Sequence, residues 1–470
     1  MATGSAVDIA DRTEFDQTPT SSVTDREYAL RIGLPGLIST ILIAISSVAV
    51  GWAPIGSGYW GDSIIGGFHE DSTRVAVFAV VLTVGICGLC ATWLQLGWNL
   101  QQRKVASLRQ QRWSLAIWCM PLLLVPPLFS RDVYSYFVQG KILGLGLDPF
   151  TVRPVEIGHW VEYGVDPLWA NSPAPYGQFW LLLSQGVSAI TGDDPYVAAI
   201  LFRLIALVGL VLLVWSIPTL ARSTGASAER ATWLAALNPF TILLFISAIH
   251  NDALMVGLIA AGLALAIRKH PVWAVVVITL AVSVKPVAAL ALPIVGLIWV
   301  GGKYPIRELI KRWAQIAAIT IAILVGLALI SGTGLGWISV LVDPDQASAR
   351  FSPSASVGYW IVSFLELIGV TDVSWIVTVT QVLGVLLGIA IAVWLWRSPR
   401  NREPIRALGL AFLLLVLFGP AWQSWYLLWS IALLACAVLT KIEIRLLVAL
   451  SIVLTIYNIF AHVYDGALYI

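Results

Sequence analysis

The chain has 470 residues, 59% of them hydrophobic and only 11% charged, with a mean hydropathy of +0.86 and a formal net charge of +2. A soluble globular protein carries about 25% charged residues, so this composition excludes one and requires an integral membrane protein. So small a net charge gives no footing for nucleic acid, and the four cysteines (Cys87, Cys90, Cys119 and Cys436) lie in apolar stretches as small apolar filler rather than disulfide or metal partners.

In chain order, residues 1–28 are polar, rich in Ser, Thr and Asp, and are expected to form a disordered tail. No short apolar core with a small-residue cleavage site precedes the first apolar segment, so that helix is expected to stay uncleaved with the tail in the cytoplasm. Residues 29–470 then form one all-α domain, a polytopic transmembrane helix bundle. Its apolar segments run over 31–52, 74–98, 113–130, 197–220, 231–249, 251–267, 271–286, 287–301, 313–331, 373–396, 405–419, 424–440 and 444–463. Basic residues follow every second segment: Arg103, Lys104, Arg109 and Arg112, then Arg222 and Arg230, then Arg268, Lys269 and His270. The same holds for Lys303, Arg307, Lys311 and Arg312, for Arg397, Arg400, Arg402 and Arg406, and for Lys441 and Arg445. One consistent alternation puts them all on the cytoplasmic side.

The alternation requires that two further apolar stretches, 176–191 and 355–369, do not cross. They are expected to lie along the outer face or dip into it; two true spans there would reverse the orientation between them. The long external loops are then 131–196 and 332–372. Trp160, Trp169, Trp180, Tyr359, Trp360, Trp422, Trp425 and Tyr426 gather on that side, either as an interfacial belt or to stack on sugar faces. No internal repeat and no soluble domain is visible.

On this topology Asp132, Arg203, His250, Asp252 and Lys285 meet at one boundary between water and lipid. Charged groups there are costly and rarely kept without a role. Ion pairing between helices would explain any one of them; their convergence suits transfer of a sugar from a polyprenyl phosphate. Lys and Arg would neutralise a departing phosphate, and a carboxylate would take the proton of the attacking hydroxyl. No Gly-rich nucleotide loop and no Ser–His–Asp arrangement is present.

The run Phe129-Ser130-Arg131-Asp132-Val133-Tyr134-Ser135-Tyr136, with Gln139-Gly140 and Gly146-Leu147-Asp148-Pro149-Phe150, resembles the polyprenyl-phosphomannose-dependent α-1,6-mannosyltransferases of mycobacteria and corynebacteria. Ala174-Pro175-Tyr176-Gly177, where Gln178 replaces a more usual proline, also resembles segments of that family. So do His250-Asn251-Asp252-Ala253-Leu254-Met255-Val256-Gly257 and Val284-Lys285-Pro286. The resemblance implies a GT-C fold of about thirteen membrane helices with external juxtamembrane helices. It implies an inverting transfer of mannose from polyprenyl-phosphate-mannose to a lipid-anchored α-1,6-mannan of the lipomannan type, at an external active site of the plasma membrane. Carried over residue by residue, Asp132 is the candidate base, Asp252 the second acid, and Lys285 and Arg203 the donor-phosphate ligands. Arg131, Tyr134, Tyr136, Tyr176, His250 and Asn251 are candidates to line the substrate site. No metal and no cofactor is expected. A different polyprenyl-phosphate sugar, such as an arabinofuranosyl donor, is the nearest rival reading. A lipid-linked-sugar flippase is a more distant one, because its charges belong near the bilayer midplane.

Overall fold

The computed structural model describes residues 21–54, 72–102, 104–301, 305–341 and 352–461. Most of the expected polar tail, 1–20, lies outside them, as do the tip of the 332–372 loop and the last residues of the chain. The described part of the tail already turns into helix at Asp25. Among the described residues the regular structure is helical, apart from a two-residue parallel pairing of Ser21–Ser22 with Lys104–Val105.

In chain order the helices are α1 (Asp25–Val50), α2 (Ser72–Gln101), α3 (Leu108–Cys119), α4 (Asp132–Gly144), α5 (Gln178–Thr191), α6 (Pro195–Thr224) and α7 (Ala228–Ala235). They continue as α8 (Asp252–Ile267), α9 (Pro271–Val282), α10 (Ala291–Val300), α11 (Ile306–Ser331), α12 (Pro353–Leu367), α13 (Trp375–Trp396), α14 (Pro404–Phe418), α15 (Leu427–Leu434) and α16 (Lys441–Phe460). Every apolar segment read from the sequence carries one of them. Six (α1, α2, α6, α11, α13 and α16) are long and apolar enough to cross a membrane, and α7 with Pro239–Ser247, bent by 49°, makes a seventh if taken as one span. Only 6% of the apolar window of α13 and 17% of that of α11 are buried within the protein, so their hydrocarbon faces outward, as lipid-facing helices must. The stretches 176–191 and 355–369 appear as α5 and α12.

Local chemistry sets the boundaries. Ser107 and Gln110 form a reciprocal capping box at α3, and Thr440 and Glu443 form another at α16. Asp194 caps α6 ahead of Pro195, and α6 ends at Gly225 with φ of 84°, a left-handed C-cap. The segment expected over 113–130 is helical only to Leu122, because Pro121, Pro126 and Pro127 remove backbone donors and clash with the preceding turn.

The non-helical stretch that follows is buried at Pro126, Pro127 and Leu128 and more open over Leu123–Val125, and in apolar surroundings its carbonyls need partners from the protein. They have them. Arg203 Nη1 donates to Leu123 O (2.8 Å), the Tyr196 hydroxyl to Leu124 O, and Trp52 N–H to Pro127 O (2.8 Å).

Close helix crossings rest on glycine. A Cβ on Gly209 of α6 would stand 2.2 Å from Ala253 O, and one on Gly257 of α8 2.2 Å from Gly209 O. The backbones of α6 and α8 therefore touch, as small-residue membrane crossings do. The opposite end of the bundle is held by charge: Arg400 and Arg406 both bind Glu443, while Arg230 and Thr224 donate to the Ala437 and Cys436 carbonyls.

Candidate functional site

Two breaks in helix bring the acids together. Before α4, Phe129 takes φ of 70°, and before α8, Ile249 takes φ of 62°. For a β-branched residue this is a strained conformation, of the kind that persists only where the surroundings enforce it. Here the enforcement is visible. Leu128 N–H donates to Ser247 O (3.3 Å), joining the two breaks directly. Arg203, on α6 and almost wholly buried, donates from Nε to Ile246 O (2.9 Å) and from Nη1 to Leu123 O. One guanidinium thus braces both segments from which the acids emerge.

Asp132 opens α4, with its N–H donating to the Ser130 hydroxyl (3.0 Å). Its Oδ2 lies 3.3 Å from His250 Nδ1, close but short of good hydrogen-bond alignment. Burial pushes the carboxyl upward, but the nearness of His250, together with Lys285 and Ser130, outweighs it and holds the group below the ordinary carboxylate value. Asp132 is therefore ionised at neutral pH.

Asp252, fully buried at the start of α8, uses both oxygens. Oδ2 accepts from Lys285 Nζ at 2.7 Å and Oδ1 from Trp429 Nε1 at 2.6 Å. Lys285 also lies over the rings of Tyr426 (4.7 Å to the centroid), Trp429 (5.7 Å) and Tyr176 (6.0 Å). It is brought there by the chain before α5. Gly177 packs on Ser283, where a Cβ would come within 2.6 Å of Ser283 Cα, while the N–H groups of Phe179 and Trp180 bond the Ser283 hydroxyl and carbonyl. That docking joins the Ala174–Gly177 motif to the Val284–Pro286 motif.

His250 stacks on Trp425 at 3.9 Å between centroids. Around this layer is a concentration of buried polar atoms with no hydrogen-bond partner among the described residues: His250 Nε2, both amide atoms of Asn251, the Tyr136 hydroxyl and Trp425 Nε1. A buried orphan costs about 1–3 kcal/mol, so several in one place call for a polar guest. Burial raises the Tyr136 and Tyr176 hydroxyls well above the usual phenol value, which keeps them neutral donors.

The structure thus brings Asp132, His250, Asp252, Lys285 and Tyr176 together, with Tyr136 edge-on to Tyr176 at 5.3 Å. It gives other contacts to Arg131, which stacks on Trp52 at 3.7 Å, and to Tyr134, whose hydroxyl donates to Trp52 O at 2.5 Å. Those two hold the 51–54 segment against α4. Arg203, read from the sequence as a phosphate ligand, has two of its donors committed to backbone carbonyls and only Nη2 unpaired. Trp429 was not singled out from the sequence. The available signal was its spacing of three from Tyr426, on whose ring it stacks at 4.4 Å.

Comparison with known proteins matches residues 33–301 to a family model described as α-(1→6)-mannopyranosyltransferase, N-terminal domain, and residues 337–459 to one described as MptB C-terminal domain. The chain is 31% identical to α-(1→6)-mannopyranosyltransferase A of Mycobacterium tuberculosis, over 80% of this chain and 75% of that one. It is 31% identical to a probable α-(1→6)-mannopyranosyltransferase of Mycolicibacterium smegmatis, over 86% and 78%. To α-(1→6)-mannopyranosyltransferase B of Corynebacterium glutamicum it is 28% identical, over 93% and 77%. No solved structure matches it.

Proposed function

Since the chain belongs to the α-(1→6)-mannopyranosyltransferase family, we propose that it transfers mannose from polyprenyl-phosphate-mannose to a lipid-anchored α-1,6-mannan, at the outer face of the plasma membrane. The chain is a multi-pass membrane mannosyltransferase, and the donor, acceptor and residue roles are argued from its site. The carrying observation is an acid, Asp132, and a half-buried Lys285 ammonium set in one layer of unpartnered polar atoms.

In this reading the acceptor 6-hydroxyl attacks the anomeric carbon of the β-linked donor, and its proton passes to Asp132. The bond between that carbon and the phosphate oxygen breaks with its electron pair, and polyprenyl phosphate departs as an anion. One displacement inverts the centre and gives the α-linkage. Lys285 neutralises the departing phosphate, and Asp252 with Trp429 holds the ammonium in place, which makes Asp252 a positioning residue rather than a second base. His250, Asn251 and Trp425 offer their free polar atoms and one ring face to the sugar. Arg203 is a brace of the two breaks.

The test is mannose transfer from polyprenyl-phosphate-mannose to a short α-1,6-mannoside by the full-length protein in membranes. Asp132→Asn is expected to lower the rate about 10²–10⁴-fold with protein abundance unchanged. Substantial residual transfer would remove Asp132 as the base. Supplying the donor alone separates the flippase reading, since a flippase would move the lipid without needing an acceptor.

A further inference from the structure

At the end of the molecule remote from Asp132, α1 and α3 leave a groove of about 370 Å³ between them. Its floor is apolar, made by Tyr28, Gly33, Leu37 and Ile117, and Trp113 stands at its rim, 63% exposed. Arg109 borders this groove and, with Arg112, Trp113 and Ala116, an adjoining hollow of about 390 Å³. These four residues recur at spacings of three and four, so they form one outward face of α3.

Both arginines are exposed and make no ion pair or hydrogen bond among the described residues. They occupy the first two turns of α3, whose first turn has no acid, where the helix dipole disfavours cations. Of the nearby acids, Glu27 pairs with Arg31 (3.1 Å), and Asp25, at the end of the groove, turns an oxygen to Gln110 Nε2 (2.7 Å) and pairs with neither arginine. A positive rim beside an apolar trough, at a helix end where positive charge is unfavourable, calls for an anion with a hydrocarbon tail.

The place in the membrane agrees. The C-terminal end of α1 lies by the candidate site, because Trp52 just beyond it contacts Pro127, Arg131 and Tyr134. The groove runs from Asp25 to Leu37 in the other half of this 26-residue segment, and its Arg109 rim, level with Asp25, lies roughly 35–40 Å from Trp52, at the opposite face of a bilayer. The exposed side chains of Leu30, Leu34 and Ile38 run from it along α1, as a lipid-facing flank does. We propose that this groove binds an anionic phospholipid of the leaflet opposite the acid cluster, its phosphate held by Arg109 and Arg112 and one acyl chain lying in the trough beside Trp113.

The test uses the full-length protein in mild detergent, incubated with equal amounts of phosphatidylglycerol and phosphatidylcholine of identical chains and read by native mass spectrometry. The wild type is expected to retain phosphatidylglycerol about tenfold over phosphatidylcholine. Arg109→Gln with Arg112→Gln is expected to bring the ratio near one, whereas Arg222→Gln, at another exposed arginine, leaves it unchanged. Removing two cations from a helix N-terminus should not unfold the protein. Gly33→Leu gives a second reading: a Cβ there meets nothing closer than 3.8 Å, so its side chain fills the trough and lowers retention of both lipids. A wild type without preference, a ratio unmoved by the arginine changes, or dimers replacing lipid adducts would each overturn the proposal.

Discussion

Asp132 is ionised where burial alone would neutralise it, and His250 is the main reason. The sign of the pH dependence follows. The base form is lost as pH falls through the carboxyl's value, so the acid limb of kcat/KM should lie below the usual carboxylate range. In His250→Gln the downward pull is gone while burial remains, so that limb should move toward neutral pH, and an unmoved limb would remove the pairing from the mechanism. Lys285 and Arg203 are separable in the same assay. Lys285→Ala should raise the apparent KM for lipid donor well beyond that for acceptor. Arg203→Met should instead lower the melting temperature and the rate together, by about 1–3 kcal/mol of stability, because it orphans two buried carbonyls. A donor-selective KM effect at Arg203 would return it to the phosphate. The sequence could mark both cations as costly and functional. It could not tell them apart, because what distinguishes them is the carbonyls of Leu123 and Ile246, backbone groups that any residue would carry.

At the scale of the elements, position was more legible than shape. Apolar length located every numbered helix except α4, which lies in what the sequence reads as external loop, and the cap residues explain where several of them begin and end. The early stop of the helix at Leu122 was written in Pro121, Pro126 and Pro127, but a hydropathy reading passes over proline inside an apolar run. The left-handed Phe129 and Ile249 had no local signal at all, since neither residue type favours that conformation; the cross-link from Leu128 to Ser247 and the Arg203 brace impose it. Glycine content was equally silent until the partners were known. Gly257→Ala should destabilise the protein by about 1–3 kcal/mol, because its new methyl meets the Gly209 carbonyl and the two helices must part. Gly186→Ala, on the exposed face of α5 with nothing within 4 Å of the added carbon, should stabilise it by about 0.5–1 kcal/mol through helix propensity. Thermal unfolding in detergent reads both, and equal shifts would show that the α6–α8 contact is not limiting.

For the whole molecule, the site is composite. Asp132, His250, Asp252 and Lys285 come from the part matched by the N-terminal family model, whereas Trp425, Tyr426 and Trp429 come from the part matched by the C-terminal one. The two parts are joined at the far end as well, by Arg230 and Thr224 reaching the 436–437 carbonyls, while Glu443 gathers Arg400 and Arg406 within the C-terminal part. If the C-terminal part serves the chemistry through Asp252, then Trp429→Phe should act on the donor side of the reaction although it touches no charge on its own helix. An aromatic ring is kept for packing, while part of the indole and its Nε1–H bond to Asp252 Oδ1 are lost. The freed carboxylate oxygen is buried, so stability should fall by about 1–3 kcal/mol. Lys285, held by a less fixed partner, should bind the phosphate less well, raising donor KM several-fold while acceptor KM stays put. Glu443→Gln is the contrast: it loosens the far end by about 1–3 kcal/mol and should leave both KM values unchanged in the molecules that remain folded. If the two variants behave alike, the C-terminal helices only hold the bundle together. If they diverge as described, one part of the chain carries the acid and the cation while the other sets the geometry in which the cation meets its phosphate.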